Sequence, residues 1–231
     1  MMKVLKTFVG ILLIPLGFGT ARAFYRQISG LSGFSNSFLV MERGVLAYLL
    51  FHVLIIRPVY IYVVGHEFMH VIATWLCGGR IESFRVMPSG GSVTTSKTNI
   101  FIELSPYFIP IYTLLLGPIF MILRASIFGF INLNFIFLFL IGFTLTFHFV
   151  MTTEVLKMRQ SDIAKSGIIL SLVFIFTLNL VSVMAVFCPL FSGLSFIVFI
   201  KSAVVYTAAA YGFVYQHAQG LAHGLIQGVA R

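Results

Sequence analysis

Charge is what this sequence has least of. Only 9% of its 231 residues are charged; six are acidic, and a single one of those, Asp162, is an aspartate. A soluble domain carries roughly 25% charged residues. Too few are present to keep a soluble surface wetted, so the natural solvent of this chain is lipid. Cysteine is scarce too. Cys77 and Cys188 lie far apart in apolar contexts, which excludes a disulfide framework and fits two buried thiols. The same shortage of acids leaves a net charge of +9. No aromatic-basic motif accompanies it, and the basic residues sit between apolar runs. They read as orientation signals in a membrane, with no nucleic-acid partner.

What is abundant is hydrophobicity, at 59%. Apolar segments run over about 5–25, 40–77, 102–124, 130–153, 164–188 and 194–219. Each approaches or exceeds the ~20 residues that cross a bilayer as a helix. No series of alternating ten-residue strands is present, so helices are the spanning elements. The expectation is an all-α polytopic membrane protein of about six transmembrane helices. It forms one membrane domain over 1–231, with a core at 58–167 and flanking helices in 1–57 and 168–231. Segment 40–77 would reach roughly 57 Å as one helix, against a hydrocarbon core of ~30 Å. Arg57-Pro58 marks a kink or break in it. Lys3, Lys6, the run Phe8 to Phe18 and Ala21-Arg22-Ala23 outline a signal peptide, but Arg22 and Arg26 close behind favour a retained first helix.

With the N-terminus inside and one net crossing by 40–77, nine basic residues fall in the cytoplasm: Lys3, Lys6, Arg80, Arg85, Lys97, Lys157, Arg159, Lys165 and Arg231. Arg22, Arg26, Arg43 and Arg124 fall outside. Between Arg80 and Lys97, two β-prone runs flank Pro88-Ser89-Gly90-Gly91. That predicts a short hairpin at the membrane.

The strongest chemical signal is His66-Glu67-Phe68-Met69-His70. Histidines at i and i+4 share a helix face and can grip one metal ion. Zinc lowers the pKa of a bound water to ~7, and the intervening glutamate can take its proton. The same glutamate can then protonate a leaving amine. Random placement of this composition would give the pattern on the order of 0.3% of the time. Two histidines and a carboxylate inside an apolar helix are costly in lipid, which argues for function over helix packing.

A zinc hydrolase uses a third protein ligand and leaves one position open. Asp162, at the start of an apolar run, is the first candidate, although an aspartate there also fits an N-cap. His148 is the second, as ligand or as its support, and Glu154 the third. Glu103 is a further possible carboxylate, although with Pro106 it also fits a capping and kinking role. His52, His217 and His223 are spaced as packing or interfacial residues. Gly220, Gly224 and Gly228 form a small-residue face that suits a helix-packing partner.

These residues resemble the site-2 protease family of intramembrane zinc metalloproteases. The resemblance runs from about Pro58 to Gly167. It rests on the HExxH within a membrane helix, Gly78-Gly79 after it, the hairpin with Gly90-Gly91, and an aspartate at the mouth of a later helix. It implies one zinc ion held by His66, His70 and Asp162, with Glu67 activating water. It also implies a hairpin, centred on Gly90, Gly91, Ser92 and Val93, that receives a membrane-protein substrate as an added strand. The chain departs from the family in lacking a glycine or proline beside Asp162. The expected setting is a bacterial inner membrane with the active site toward the cytoplasm. The competing reading is a catalytically silent membrane subunit or scaffold; the intact Glu67 speaks against it.

Overall fold

The computed structural model describes residues 2–30, 36–87, 90–125, 133–158 and 160–229. They form ten helices and one hairpin. In chain order these are α1 (Met2–Leu12), α2 (Ile14–Ser29), α3 (Asn36–Leu54), α4 (Val59–Leu76), β1 (Ile81–Met87), β2 (Gly90–Thr95), α5 (Ile100–Phe108), α6 (Ile111–Ala125), α7 (Leu133–Leu156), α8 (Ser161–Ser166), α9 (Ile168–Phe187) and α10 (Phe196–Val229).

Six helical stretches are long and apolar enough to cross a membrane, and α5 with α6 adds a seventh if the bent pair is one span. The expected number stands, but two segments differ in kind. Segment 40–77 divides at Pro58 into α3 and α4, each long enough to span. Segment 102–124 is broken instead, with a 69° bend between α5 and α6. The bend follows from Pro110, which has no N–H to continue the helix and bars the preceding Ile109 from helical backbone. The outward faces are apolar, as lipid requires: Val53, Leu54, Ile55 and Leu76 are largely exposed.

The helices cluster into two compact units. One consists of Met1–Ser32 with Gly167–Arg231, the other of Gly33–Ser166. The expected core, 58–167, falls within the second up to Ser166, with Gly167 in the first; the second unit also takes in α3. There α3 and α7 meet at two glycines. A side chain at Gly44 would strike the Phe139 carbonyl, and one at Gly142 the Met41 carbonyl. Only glycine lets these backbones approach so closely. Tyr48, Tyr62, Phe147 and Met151 fill the core beside that crossing. In the first unit, Gly19 meets the Thr207 backbone and Gly10 that of Leu170.

The end of α4 positions the hairpin. Gly78 adopts φ +67, the left-handed region that glycine occupies without penalty. Its N–H donates to the Trp75 carbonyl and the Gly79 N–H to the Thr74 carbonyl, the paired bonds of a Schellman motif. The chain then enters β1, which pairs antiparallel with β2 from Met87–Gly90 back to Ile81–Thr95. The turn residues Pro88 and Ser89 lie outside the described set. Asn99 caps α5, accepting a hydrogen bond from the Ile102 N–H at 2.8 Å.

Candidate metal centre

Helix α4 presents His66 and His70 on one face, and α8 brings Asp162 to them. One donor atom from each lies within 4.8 Å of the others. The Asp162 Oδ2 stands 3.8 Å from His66 Nε2 and 3.5 Å from His70 Nε2. Ligands in a tetrahedral zinc site with bonds of ~2.0–2.1 Å are separated by ~3.3 Å. Asp162 stands slightly farther than that from each histidine nitrogen, and the donors' chemistry, two imidazoles and a carboxylate, is the kind zinc accepts.

Each ring has a distinct support. His70 Nδ1 is 2.8 Å from the Ile102 carbonyl. A carbonyl only accepts, so His70 Nδ1 carries a proton toward it, while Nε2 faces Asp162 Oδ2. That carbonyl is available because Pro106, four residues on, has no N–H to offer it. The His66 ring packs edge-on against Tyr107, with centroids 4.8 Å apart. Its buried Nδ1 has no hydrogen-bond partner among the described residues, which costs free energy in a buried setting. Asp162 Oδ2 also accepts a bond from the Tyr107 hydroxyl at 3.2 Å, and Oδ1 one from Ser161 Oγ at 3.2 Å. Burial would raise the Asp162 carboxyl, but its contacts with His66 and His70 outweigh that and hold it well below the usual carboxylate range.

The Asp162 geometry requires a sharp reversal after α7. The helix ends at Leu156, and tight bonds from Lys157 N–H to the Glu154 carbonyl and from Met158 N–H to the Val155 carbonyl turn the chain. Gln160 Nε2 donates back to the Val155 carbonyl at 3.2 Å. Helix α8 then starts at Ser161. Asp162 lies in its first turn, but its carboxylate faces Tyr107, Ser161 and the histidines.

The three residues border a cavity of about 430 Å³. Glu67 lines it too and is only 7% exposed. Strand β2 forms one wall through Gly90, Gly91, Ser92, Val93 and Thr95. Gly91 permits this closeness: a Cβ there would stand 2.7 Å from the Glu67 Cδ and Oε1. Among the described residues β2 has a single strand neighbour, β1, so its other edge is unpaired.

Other candidates lie elsewhere. His148 on α7 is buried outside the donor group, and with His66, Tyr62 and Tyr112 it lines a separate cavity of about 10 Å³. Glu154 is taken up by His52 at 3.2 Å and Arg57 at 3.6 Å. His52 also contacts the Tyr48 hydroxyl at 3.0 Å, so it is a buried bonding residue. Glu103 accepts from Thr98 Oγ1 at 2.9 Å and from Ser166 Oγ. It neither joins the donor group nor caps α5, which Asn99 does. His217 bonds the Phe213 carbonyl in its own helix. A side chain at Gly220 would meet nothing within 4 Å; the surroundings of His223, Gly224 and Gly228 lie outside the described residues.

Tyr107 and the Ile102 carbonyl were not foreseen from the sequence. The available signal was Pro106, since a proline in a helix frees the carbonyl four residues before it. Comparison with protein-family models, with curated proteins and with solved structures gives no match.

Proposed function

We propose that this chain is a membrane-embedded zinc endopeptidase of the site-2 protease kind. The observation that carries the reading is the convergence of His66, His70 and Asp162 on one wall of a cavity that Glu67 also lines. His66, His70 and Asp162 would hold one zinc ion, which supplies Lewis acidity toward a peptide carbonyl and acidifies water. Glu67 takes a proton from the attacking water as the new C–O bond forms. It returns that proton to the amine nitrogen as the C–N bond breaks. Asp162, as a carboxylate, would offset part of the ion's charge in this buried setting.

The substrate proposed is a transmembrane segment of another membrane protein. A helix hides its scissile amide in its own hydrogen bonds, so the segment must unwind. The unpaired edge of β2 offers backbone groups that an extended segment can bond. The cavity volume is sufficient for a short extended stretch, and Ser92, Thr95 and Gln160 give its lining polar groups that can bond water.

Orientation is part of the proposal. Counting α3 and α4 as separate crossings, and α5 with α6 as one, puts Lys3, Lys6, Arg57, Arg124 and Lys201 on one side. Arg22, Arg26, Arg43, Arg80, Arg85, Lys97, Lys157, Arg159, Lys165 and Arg231 fall on the other, with the hairpin. The positive-inside rule then places the active site at the cytoplasmic face and the N-terminus outside. Impermeant thiol labelling of Ser96→Cys and Ser161→Cys in intact bacterial cells tests this, since both should stay unlabelled until the membrane is opened. Labelling of either in intact cells reverses the orientation.

The functional test is cleavage of a model transmembrane substrate by purified protein, with bound metal counted. One zinc per chain and chelator-sensitive cleavage are expected. A chain that binds no zinc is the scaffold of the competing reading.

A further inference from the structure

Helix α8 has only six residues, Ser161–Ser166. A helix that short does not hold itself together in isolation, yet it must set Asp162 within a few ångströms of two histidines. Its tether is α5, in two rungs. Asp162 and Ser166 are four residues apart on α8, and Tyr107 and Glu103 are four apart on α5, so each pair shares a helix face. The Tyr107 hydroxyl donates to Asp162 Oδ2, and the Ser166 hydroxyl donates to Glu103 Oε2. Glu103 is itself fixed by Thr98 Oγ1 on its other oxygen. Ser166 is buried, as is Ile163 between the rungs. The same α5 supplies the Ile102 carbonyl that orients His70.

We propose that α5 is a splint for the metal site and that Glu103 is a positioning residue. By bonding Ser166 it fixes the tilt of α8 and thereby the reach of Asp162, although it borders the same cavity without joining the donor group. A carboxylate suits the task because a charged acceptor makes a stronger bond to a hydroxyl than a neutral one does. A rung at each end also prevents α8 from pivoting about the Tyr107–Asp162 bond. The inference rests on Asp162 being a metal ligand, as proposed above, but the splint itself exists without metal.

Two measurements on the purified full chain test it. The first is amide hydrogen exchange of the 160–167 peptide in metal-free protein. Glu103→Ala and Ser166→Ala should each speed exchange there and leave α7 unchanged. Glu103→Gln, which keeps one neutral acceptor oxygen, should fall between wild type and Glu103→Ala. Unchanged exchange in Glu103→Ala overturns the splint whatever the metal does. The second is zinc affinity by chelator competition. Glu103→Ala and Ser166→Ala should each weaken it about 10-fold, as loss of an outer support does. The double variant should be no weaker than the worse single variant, because the two remove one bond. Full wild-type affinity in Glu103→Ala, or fully additive losses, also overturns the proposal. If the wild type binds no zinc while the exchange result holds, the zinc reading fails and the splint survives.

Discussion

The two helical units differ most in what their polar atoms do. All six acidic residues, Glu42, Glu67, Glu82, Glu103, Glu154 and Asp162, fall within Gly33–Ser166, and the other unit has none. Both use glycine to bring helices together. In the acid-free unit, Gly17 and Gly19 lie against the threonines Thr177 and Thr207, and the result is packing. In the other, Gly91 opens room beside Glu67, and the result is a cavity with converging donors. Glycine therefore marks close approach in both units, but only in the second does it set a carboxylate against the approaching backbone.

That contrast can be broken in a graded way. The largest effect is expected at the third ligand. Asp162→Asn should weaken zinc by more than about 100-fold and abolish cleavage, since the neutral amide is a poor partner for the ion. His148→Ala, outside the donor group, should keep zinc and lose less activity. The reverse result in metal analysis would make His148 the ligand. Next in size is Gly91→Ala. The added methyl meets Glu67, so the hairpin or the base must shift. Cleavage should fall by about 10-fold or more, as misplacement near 1 Å does, with zinc content unchanged. Normal cleavage by this variant would show that β2 need not lie beside Glu67.

A smaller effect, and one of stability alone, is expected in the acid-free unit. Gly19→Ala puts a methyl 2.5 Å from the Thr207 backbone nitrogen. Overpacking of this kind costs about 1–3 kcal/mol, seen as a lower thermal midpoint in detergent with unchanged zinc content. Loss of zinc in this variant would end the separation of roles between the units. The smallest effect belongs to Gly220→Ala. With open space around it, the monomer should change by less than about 0.5 kcal/mol. A loss of self-association in the same variant would identify a packing partner on α10.

Much of the fold was legible because the bilayer imposes length and hydrophobicity on each span, and Pro58 announced the division of 40–77. The hairpin was legible from Gly90-Gly91. The fracture at Pro110 was not, since 102–124 is apolar throughout and reads as one span. Within the site, His66, Glu67 and His70 were visible because they are adjacent in sequence. Asp162 was harder: its arrival depends on a reversal after Leu156 that no local signal specifies. Tyr107 and the Glu103–Ser166 bond were hidden because they join positions more than fifty residues apart. His148 and Glu154, second and third to Asp162 as ligands on sequence grounds, stayed open until their partners and positions were known.

The central claim is that Glu67 is the base of a zinc peptidase held by His66, His70 and Asp162. Its most direct test is the cleavage rate of one transmembrane substrate by wild type and by Glu67→Gln, each carrying a counted zinc ion. The predicted result is one zinc per chain in both proteins, with cleavage only in the wild type. Cleavage by zinc-loaded Glu67→Gln at the wild-type rate would contradict the account.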